Sequence, residues 1–204
     1  MKLLPLLQEQ AVKRGLLRQD STLSPELVFA LVRDMPYQRA NSREPEATIR
    51  EWRGTCSGKH YLLKDLFEEL GFEARIVMCS HVFTKQNTVH FPARLRAKVS
   101  NQPIPDIHTF IQLKSSDGWT DVDATWPLPT RPLGTPVNAQ FQIGVNMQVA
   151  CEPIEFFEVP DGIDPQTFKE QLIKAHCGSQ NEQRDRFIEE MSRWLLASAS
   201  QLRR

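Results

Sequence analysis

One cysteine stands in a setting that could make its thiol a nucleophile. Cys56 follows small residues in the segment 53–60, Arg-Gly-Thr-Cys-Ser-Gly-Lys-His, and an apolar pattern of helical spacing comes after it. The apolar positions are Leu62, Leu63, Leu66, Phe67 and Leu70, and Gly71 is suited to end the helix. The sequence therefore places Cys56 at the N-terminus of a buried helix. Unpaired N–H groups and the helix dipole favour a thiolate there, and a thiolate attacks carbonyl carbons.

A histidine and an aspartate farther along the chain could complete such a site. Two β-prone runs, residues 107–113 and 118–124, flank the turn-forming residues 114–117 and predict a hairpin. If the turn consists of those four residues, His108 lies directly opposite Asp123, with Cβ atoms about 5 Å apart. The other face of the hairpin would then be apolar, with Ile107, Ile111, Leu113 and Val122. A cysteine nucleophile needs a base and an acceptor that orients the base, and this pair could supply both.

Each of these residues also has a structural interpretation. Cys56 could be a buried packing cysteine, His108 a strand histidine with a satisfied hydrogen bond, and Asp123 a turn former. The three roles occurring together favour catalysis over the separate interpretations. The other histidines are less well placed: His60 lies on the same predicted helix as Cys56, His81 and His90 lie in a segment without a clear pattern, and His176 lies near a helix end.

The order of these features resembles the core of the transglutaminase-like superfamily, over about Trp52 to Trp126. The resemblance rests on Gly-Thr-Cys at 54–56, a helix ending in Glu-Leu-Gly-Phe-Glu-Ala-Arg-Ile-Val at 69–77, His108 opening a strand, and Trp-Thr-Asp-Val-Asp-Ala-Thr-Trp at 119–126. It implies a papain-like α+β fold, in which a core helix carrying the cysteine packs on an antiparallel sheet carrying the histidine and the aspartate. Helical extensions are expected at both ends.

The resemblance also implies a Cys-His-Asp triad. Cys56 would be the nucleophile, His108 the general base and then the general acid, and Asp123 the residue that orients His108. The superfamily includes transamidating enzymes, peptidases, deamidases and members that have lost catalysis. The activity implied is therefore thiol-dependent acyl transfer, most simply hydrolysis of a peptide, isopeptide or amide bond through a thioester. A catalytically silent module that binds a protein or peptide on the same fold is the alternative of another class.

Arylamine N-acetyltransferases are a related group with a similar Arg-Gly-x-Cys segment. A small-molecule acyltransferase of that type is therefore a further alternative. The chain departs from that group at Thr55 and Ser57, which take the place of acidic and aromatic neighbours of the cysteine. It also departs from many superfamily members at Thr109, because an aromatic residue often follows the histidine directly.

Several residues near Cys56 are candidates to line a cleft. An oxyanion hole would use the backbone N–H of Cys56 and a second donor, for which the indole N–H of Trp52 is a candidate. Ser57, Lys59 and His60 could line the cleft, although an exposed first helical turn is the structural alternative.

Composition narrows the partners that we expect. The chain has 204 residues, and 25 Lys and Arg balance 25 Asp and Glu, which argues against a nucleic-acid surface. The apolar run Leu3–Leu7 is too short for a signal peptide, and no membrane span follows it, so a cytoplasmic location is expected. Four cysteines without a CxxC pair suit reduced thiols. No cofactor is expected, and Cys79 with His81 forms only a weak candidate metal site.

The chain divides by pattern into four parts of one predicted domain. These are a helical arm at 1–51, the transglutaminase-like core at 52–126, a proline-rich loop with further strands at 127–160, and C-terminal helices at 161–204. Outside the hairpin, strands are predicted at 73–79, 95–99, 141–144, 147–150 and 154–159. The oligomeric state and the identity of the peptide, protein or amide substrate are left open by the sequence.

Overall fold

A computed structural model describes residues 2–201. Within that range the helices are α1 Leu3–Lys13, α2 Pro25–Asp34, α3 Pro45–Glu51, α4 Cys56–Glu69, α5 Ala93–Asn101, α6 Pro165–Cys177 and α7 Asn181–Gln201. The strands are β1 Ala74–Phe83, β2 Ile104–Ser115, β3 Gly118–Val122 and β4 Glu155–Glu158. Short 3-10 helices occupy Leu128–Leu133 and Gly178–Gln180. Met1 and residues 202–204, the outer ends of the predicted arms, lie outside the described residues.

The four strands form one antiparallel sheet in the order β3-β2-β1-β4. Helix α4 packs on β1 and β2, and α6 also packs on β2. This arrangement confirms the predicted α+β class, with a cysteine-bearing helix on an antiparallel sheet and helices at both ends. The proposed division of the chain at residues 51, 126 and 160 stays a prediction.

The main core lies between α4 and the sheet. Leu62, Leu63, Leu66 and Phe67 of α4 are completely buried, as their helical spacing predicts. They share one apolar cluster with Ile76, Met78, Ile107 and Ile111 of β1 and β2. Burial of each large apolar side chain is worth about 1.5–3 kcal/mol, so this contact fixes the position of α4 on the sheet.

The hairpin β2–β3 has the predicted strands but a different register. Ser115 pairs with Gly118 and Ile111 pairs with Val122, so the turn is shorter and the register is shifted by two residues. The predicted direct pairing of His108 with Asp123 is therefore wrong, because β3 ends at Val122. Since side chains alternate with a period of two, a shift of two residues leaves both side chains on the predicted side.

Other expectations about local structure are corrected. Residues 95–99 form part of α5 and not a strand, because the two buried residues, Leu95 and Val99, are four apart and the residues between them are polar or exposed. Residues 141–144 and 147–150 form no regular strand, whereas β4 falls within the expected 154–159. Strand β1 continues through His81 to Phe83.

Candidate active site

Cys56 is the first residue of α4, as the sequence predicts. Thr55 is the N-cap in extended conformation, and its side chain makes no capping hydrogen bond. A Cβ atom at Gly54 would lie 3.1 Å from Cγ of Lys59 and 3.2 Å from Cγ2 of Thr48. Glycine at this position therefore lets the chain pass close to α4 just before the cysteine. The N–H groups of the first turn and the helix dipole favour negative charge at this end of α4.

His108 and Asp123 contact each other directly. Nε2 of His108 lies 2.7 Å from Oδ2 of Asp123, and both side chains are buried. The carboxylate also accepts hydrogen bonds from the backbone N–H of Thr125 to Oδ1, at 2.9 Å, and of Ala150 to Oδ2, at 2.8 Å. Burial alone would raise the pKa of Asp123, but the charge and hydrogen bond of His108 outweigh burial and lower it. An ionised carboxylate therefore holds the imidazole in one orientation.

The pKa of the Cys56 thiol depends on the charged groups around it. Burial alone would raise the pKa of Cys56, but the charge of Lys169 and the hydrogen bond and charge of His108 lower it to about 5. Burial would likewise lower the pKa of His108, whereas Asp123 and Cys56 raise it well above its usual value. The two groups therefore favour a thiolate beside an imidazolium near neutral pH. Such an ion pair has the composition of a nucleophile with a protonated acid beside it.

His60 is a structural link and does not face a cleft. Its Nδ1 lies 2.7 Å from the carbonyl oxygen of Cys56, and its Nε2 accepts the N–H of Ala124 at 2.8 Å. Because Nε2 is an acceptor, the ring proton resides on Nδ1 and is donated to Cys56. Burial lowers the pKa of His60 to about 4, which keeps the ring neutral. The helix start and the segment after Asp123 are thereby joined through one side chain.

The other candidates from the sequence occupy different surroundings. Trp52 is in the left-handed conformation at the end of α3, and its ring stacks under the guanidinium of Arg14 at 4.9 Å. Trp52 does not line the small cavity beside Cys56. Lys59 is fully buried, and its ammonium donates to the carbonyl oxygens of Arg33, at 2.7 Å, and Thr125, at 3.0 Å. The exposed first helical turn that the sequence allowed is therefore excluded.

Lys169 is a residue at the site that the sequence reasoning missed. It lies on α6, is 2% exposed, and its Nζ is 3.5 Å from Sγ of Cys56. The same Nζ donates to Oγ of Ser57 at 2.8 Å and to Oγ1 of Thr109 at 2.9 Å. The available signal was its position three and four residues before two buried apolar residues, Leu172 and Ile173, which puts a lysine on the buried stripe of α6.

A second buried ion pair, between Arg184 and Asp106, lines the cavity beside Cys56. Nε of Arg184 on α7 lies 2.5 Å from Oδ1 of Asp106, whose Oδ2 is 3.5 Å from Nε2 of His81. Burial would raise the pKa of Asp106, but the charge of Arg184 lowers it far below the usual range. Asp106 and Arg184 line a cavity of only about 10 Å³ beside Cys56, with room for about one water molecule.

A larger cleft begins where this small cavity ends. It has a volume of about 610 Å³ and shares Arg39, Arg43 and Thr55 with the cavity at Cys56. Three polar atoms in residues that line it are buried and lack a hydrogen-bond partner among the described residues. These are Oγ1 of Thr48, the hydroxyl of Tyr61 and Oε1 of Gln166. Buried polar groups are nearly always hydrogen-bonded, so these three atoms are exceptions within the described residues.

Within residues 2–201, no cluster of three or more His, Cys, Asp or Glu side chains could hold a metal ion. Cys79 and His81 therefore lack the further ligands that a metal site would need. In the same part of the chain, no helix is both long and apolar enough to cross a membrane.

Comparison with known proteins agrees with the geometry. A family model for the transglutaminase-like superfamily matches residues 26–124, which begin in α2 and include Cys56, His108 and Asp123. No curated protein and no solved structure is similar enough to the chain to count as a match. The family match confirms the resemblance predicted from the sequence. The superfamily usually holds cysteine-dependent enzymes, and its family model covers residues 26–124 of this chain.

Proposed function

We propose that this protein is a cysteine-dependent acyl-transfer enzyme that hydrolyses a peptide, isopeptide or amide bond. The observation that carries the proposal is the contact of His108 with Asp123 beside a thiol whose pKa is lowered to about 5. Cys56 is the proposed nucleophile, His108 the acid and base, and Asp123 the orienting residue. A reduced thiol is required, and all four cysteines are free in the structure. A reducing compartment such as the cytoplasm stays the expected location.

In the proposed reaction, the Cys56 thiolate attacks the carbonyl carbon of the amide. The imidazolium of His108 gives its proton to the leaving nitrogen as the C–N bond breaks, which leaves a thioester and a neutral imidazole. Water then adds to the thioester carbonyl and gives a proton to His108. The C–S bond breaks, its electron pair returns to sulfur, and a carboxylic acid leaves. An amine in place of water would give a new amide.

The cleft of about 610 Å³ supports a substrate with amide groups. Oε1 of Gln166 can only accept a hydrogen bond, so it requires an N–H or O–H donor, whereas the hydroxyls of Tyr61 and Thr48 can donate or accept. A peptide chain supplies both kinds of group at regular spacing. Because the cleft meets the cavity of Cys56 at Thr55, we propose that a peptide or another amide lies along the cleft and presents its carbonyl to the sulfur.

A second candidate function is the binding of a protein or peptide without catalysis. The observation in its favour is that Cys56 is 6% exposed and the cavity beside it has a volume of about 10 Å³. A substrate carbonyl can reach the sulfur only if the surrounding side chains move. If they do not move, the fold retains the cleft but not the reaction.

Mass spectrometry of a peptide mixture incubated with the protein and a primary amine tests the proposal. New peptide termini or amide-to-acid conversions indicate hydrolysis, and incorporated amine indicates transamidation. Both must be absent with Cys56→Ser. Acylation of Cys56 by acetyl-CoA, without any change in the peptides, would instead support the small-molecule acyltransferase. Peptides that bind unchanged would support the binding module and contradict the enzyme.

A further inference from the structure

We propose that Lys169 is a fourth catalytic residue, whose ammonium group is the counter-cation of the Cys56 thiolate. The inference rests on the proposed function of Cys56. It changes the account of the site in one respect, because the charge on sulfur then depends on two cations and not on His108 alone.

The contacts of Lys169 account for all three of its N–H bonds. Two are directed at neutral hydroxyls, those of Ser57 and Thr109, and the third at Sγ of Cys56. The two hydroxyls sit on α4 and β2, so the ammonium is fixed relative to both elements of the site. A lysine held in this way contacts the reacting sulfur and cannot swing into solvent without breaking both anchoring bonds.

The charges around Lys169 leave Cys56 as its partner. Asp106 is the carboxylate among the charged groups that most affect the pKa of Lys169, and Asp106 is already paired with Arg184 at 2.5 Å. Arg43, a cation that opposes Lys169, lies 3.6 Å from Glu170. A buried ammonium without an anion is costly, so the thiolate form of Cys56 is the state that balances this site.

The same pairing assists the second half of the proposed reaction. Formation of the thioester removes the negative charge from sulfur and leaves the buried ammonium of Lys169 without an anion. When water has added and the C–S bond breaks, the electron pair returns to sulfur, and the thiolate regains its partner. Lys169 therefore favours departure of the sulfur as an anion, with no proton transferred to or from the lysine.

Titration of the thiolate by its ultraviolet absorbance tests the inference without any substrate. Each protein is compared with the same protein carrying Cys56→Ser, so that the absorbance of the other cysteines is subtracted. The unchanged protein should titrate near pH 5. Lys169→Gln, which keeps a donor but not the charge, should titrate about 1 to 3 units higher. Lys169→Arg, which keeps the charge, should stay near the unchanged protein.

A combination of variants separates the contributions of His108 and Lys169 to the pKa of the Cys56 thiol. His108→Ala alone should leave much of the thiolate in place. The double variant with Lys169→Gln should reach or exceed the ordinary thiol pKa of about 8.5, because burial then raises the pKa of Cys56 without these two opposing cations. Lys174→Gln is the matched control, since Lys174 is exposed on the same helix. If Lys169→Gln does not fold, as judged by circular dichroism, Thr109→Val replaces it, because it removes one anchor of the ammonium and should raise the midpoint by a smaller amount.

The inference would be overturned if the Cys56 thiol of Lys169→Gln, or of Thr109→Val in its place, titrated at the same pH as that of the unchanged protein. That outcome differs from failure of the proposed function, in which the thiolate titrates as expected but no amide or ester acylates Cys56.

Discussion

Nδ1 of His60 lies 2.7 Å from the carbonyl oxygen of Cys56, so the backbone of the proposed nucleophile is held by a second histidine. The far side of the same ring accepts the N–H of Ala124, the residue after Asp123. One neutral imidazole thus sets the separation between the start of α4 and the carboxylate that orients His108. The site depends on His60 for its geometry, although His60 takes no part in the proposed reaction.

Replacement of His60 should destabilise the protein strongly. His60→Ala leaves the N–H of Ala124 buried without a partner, at about 1–3 kcal/mol, and removes the side-chain hydrogen bond to the carbonyl of Cys56, at about 0.5–1.5 kcal/mol. We expect the free energy of unfolding in urea at pH 7 to fall by about 2–5 kcal/mol. His176→Ala, which removes an exposed histidine near the end of α6, is the control. A loss as small as that of the control would contradict the linking role.

The stability of the protein should also decrease at acidic pH because of His60. Its pKa is about 4 in the folded protein and about 6.5 when unfolded, so the unfolded chain binds the extra proton between these values. The contribution of His60 to the free energy of unfolding is therefore complete above pH ~6.5. It decreases by about 3 kcal/mol as the pH falls towards 4. Urea unfolding of the unchanged protein and His60→Gln at several pH values isolates this contribution. Parallel curves for the two proteins would contradict it.

Asp123→Asn should slow acylation of Cys56 without unfolding the protein. The amide keeps the shape of the carboxylate but not its charge, so the pKa of His108 should fall and its orientation be less well fixed. We expect a loss of about 10²- to 10⁴-fold in the acylation rate, the usual size of an acid–base contribution. The pKa of His108 is measured by NMR in the same variant. Asp121→Asn, two residues earlier, should change neither quantity.

Removal of the hydroxyl of Tyr61, in the large cleft, should weaken substrate binding without lowering the stability of the protein. Tyr61→Phe deletes an atom that has no hydrogen-bond partner within residues 2–201, so the free energy of unfolding should stay the same or rise slightly. If a peptide lies in the cleft, KM should increase about 2- to 12-fold, the equivalent of one hydrogen bond. Thr22→Val, at an exposed threonine, is the control. An unchanged KM would exclude Tyr61 from substrate binding.

The sequence predicted that Cys56 begins a helix and that His108 lies near Asp123, because each position depends on a local pattern. The position of Cys56 follows from the apolar spacing of α4, and that of His108 with Asp123 follows from a hairpin. The register of that hairpin was wrong, yet the two side chains still meet at 2.7 Å, since a shift of two residues preserves the face. Turn length is set by the backbone geometry of the turn, which the residues 114–117 alone do not fix.

Lys169 could not be paired with Cys56 from the sequence. The two residues are 113 positions apart, and only the packing of α6 on β2 brings them together. The segment 95–99 was assigned to a strand because it is short and partly apolar, whereas its two buried residues have helical spacing. In both cases the tertiary contacts decide the outcome, and a local pattern carries little information about them.

The most direct test of the account is whether Cys56 forms an acyl-enzyme. The protein is treated with p-nitrophenyl acetate, digested and mapped by mass spectrometry, with hydroxylamine used to distinguish a thioester from an amide. We expect one acetyl thioester, on Cys56, which is absent in Cys56→Ser and is hydrolysed much more slowly in His108→Ala, because water gives its proton to His108 in that step. An acetyl group that spreads equally over the other cysteines, or that is lost from Cys56 at the same rate without His108, would contradict the proposed triad.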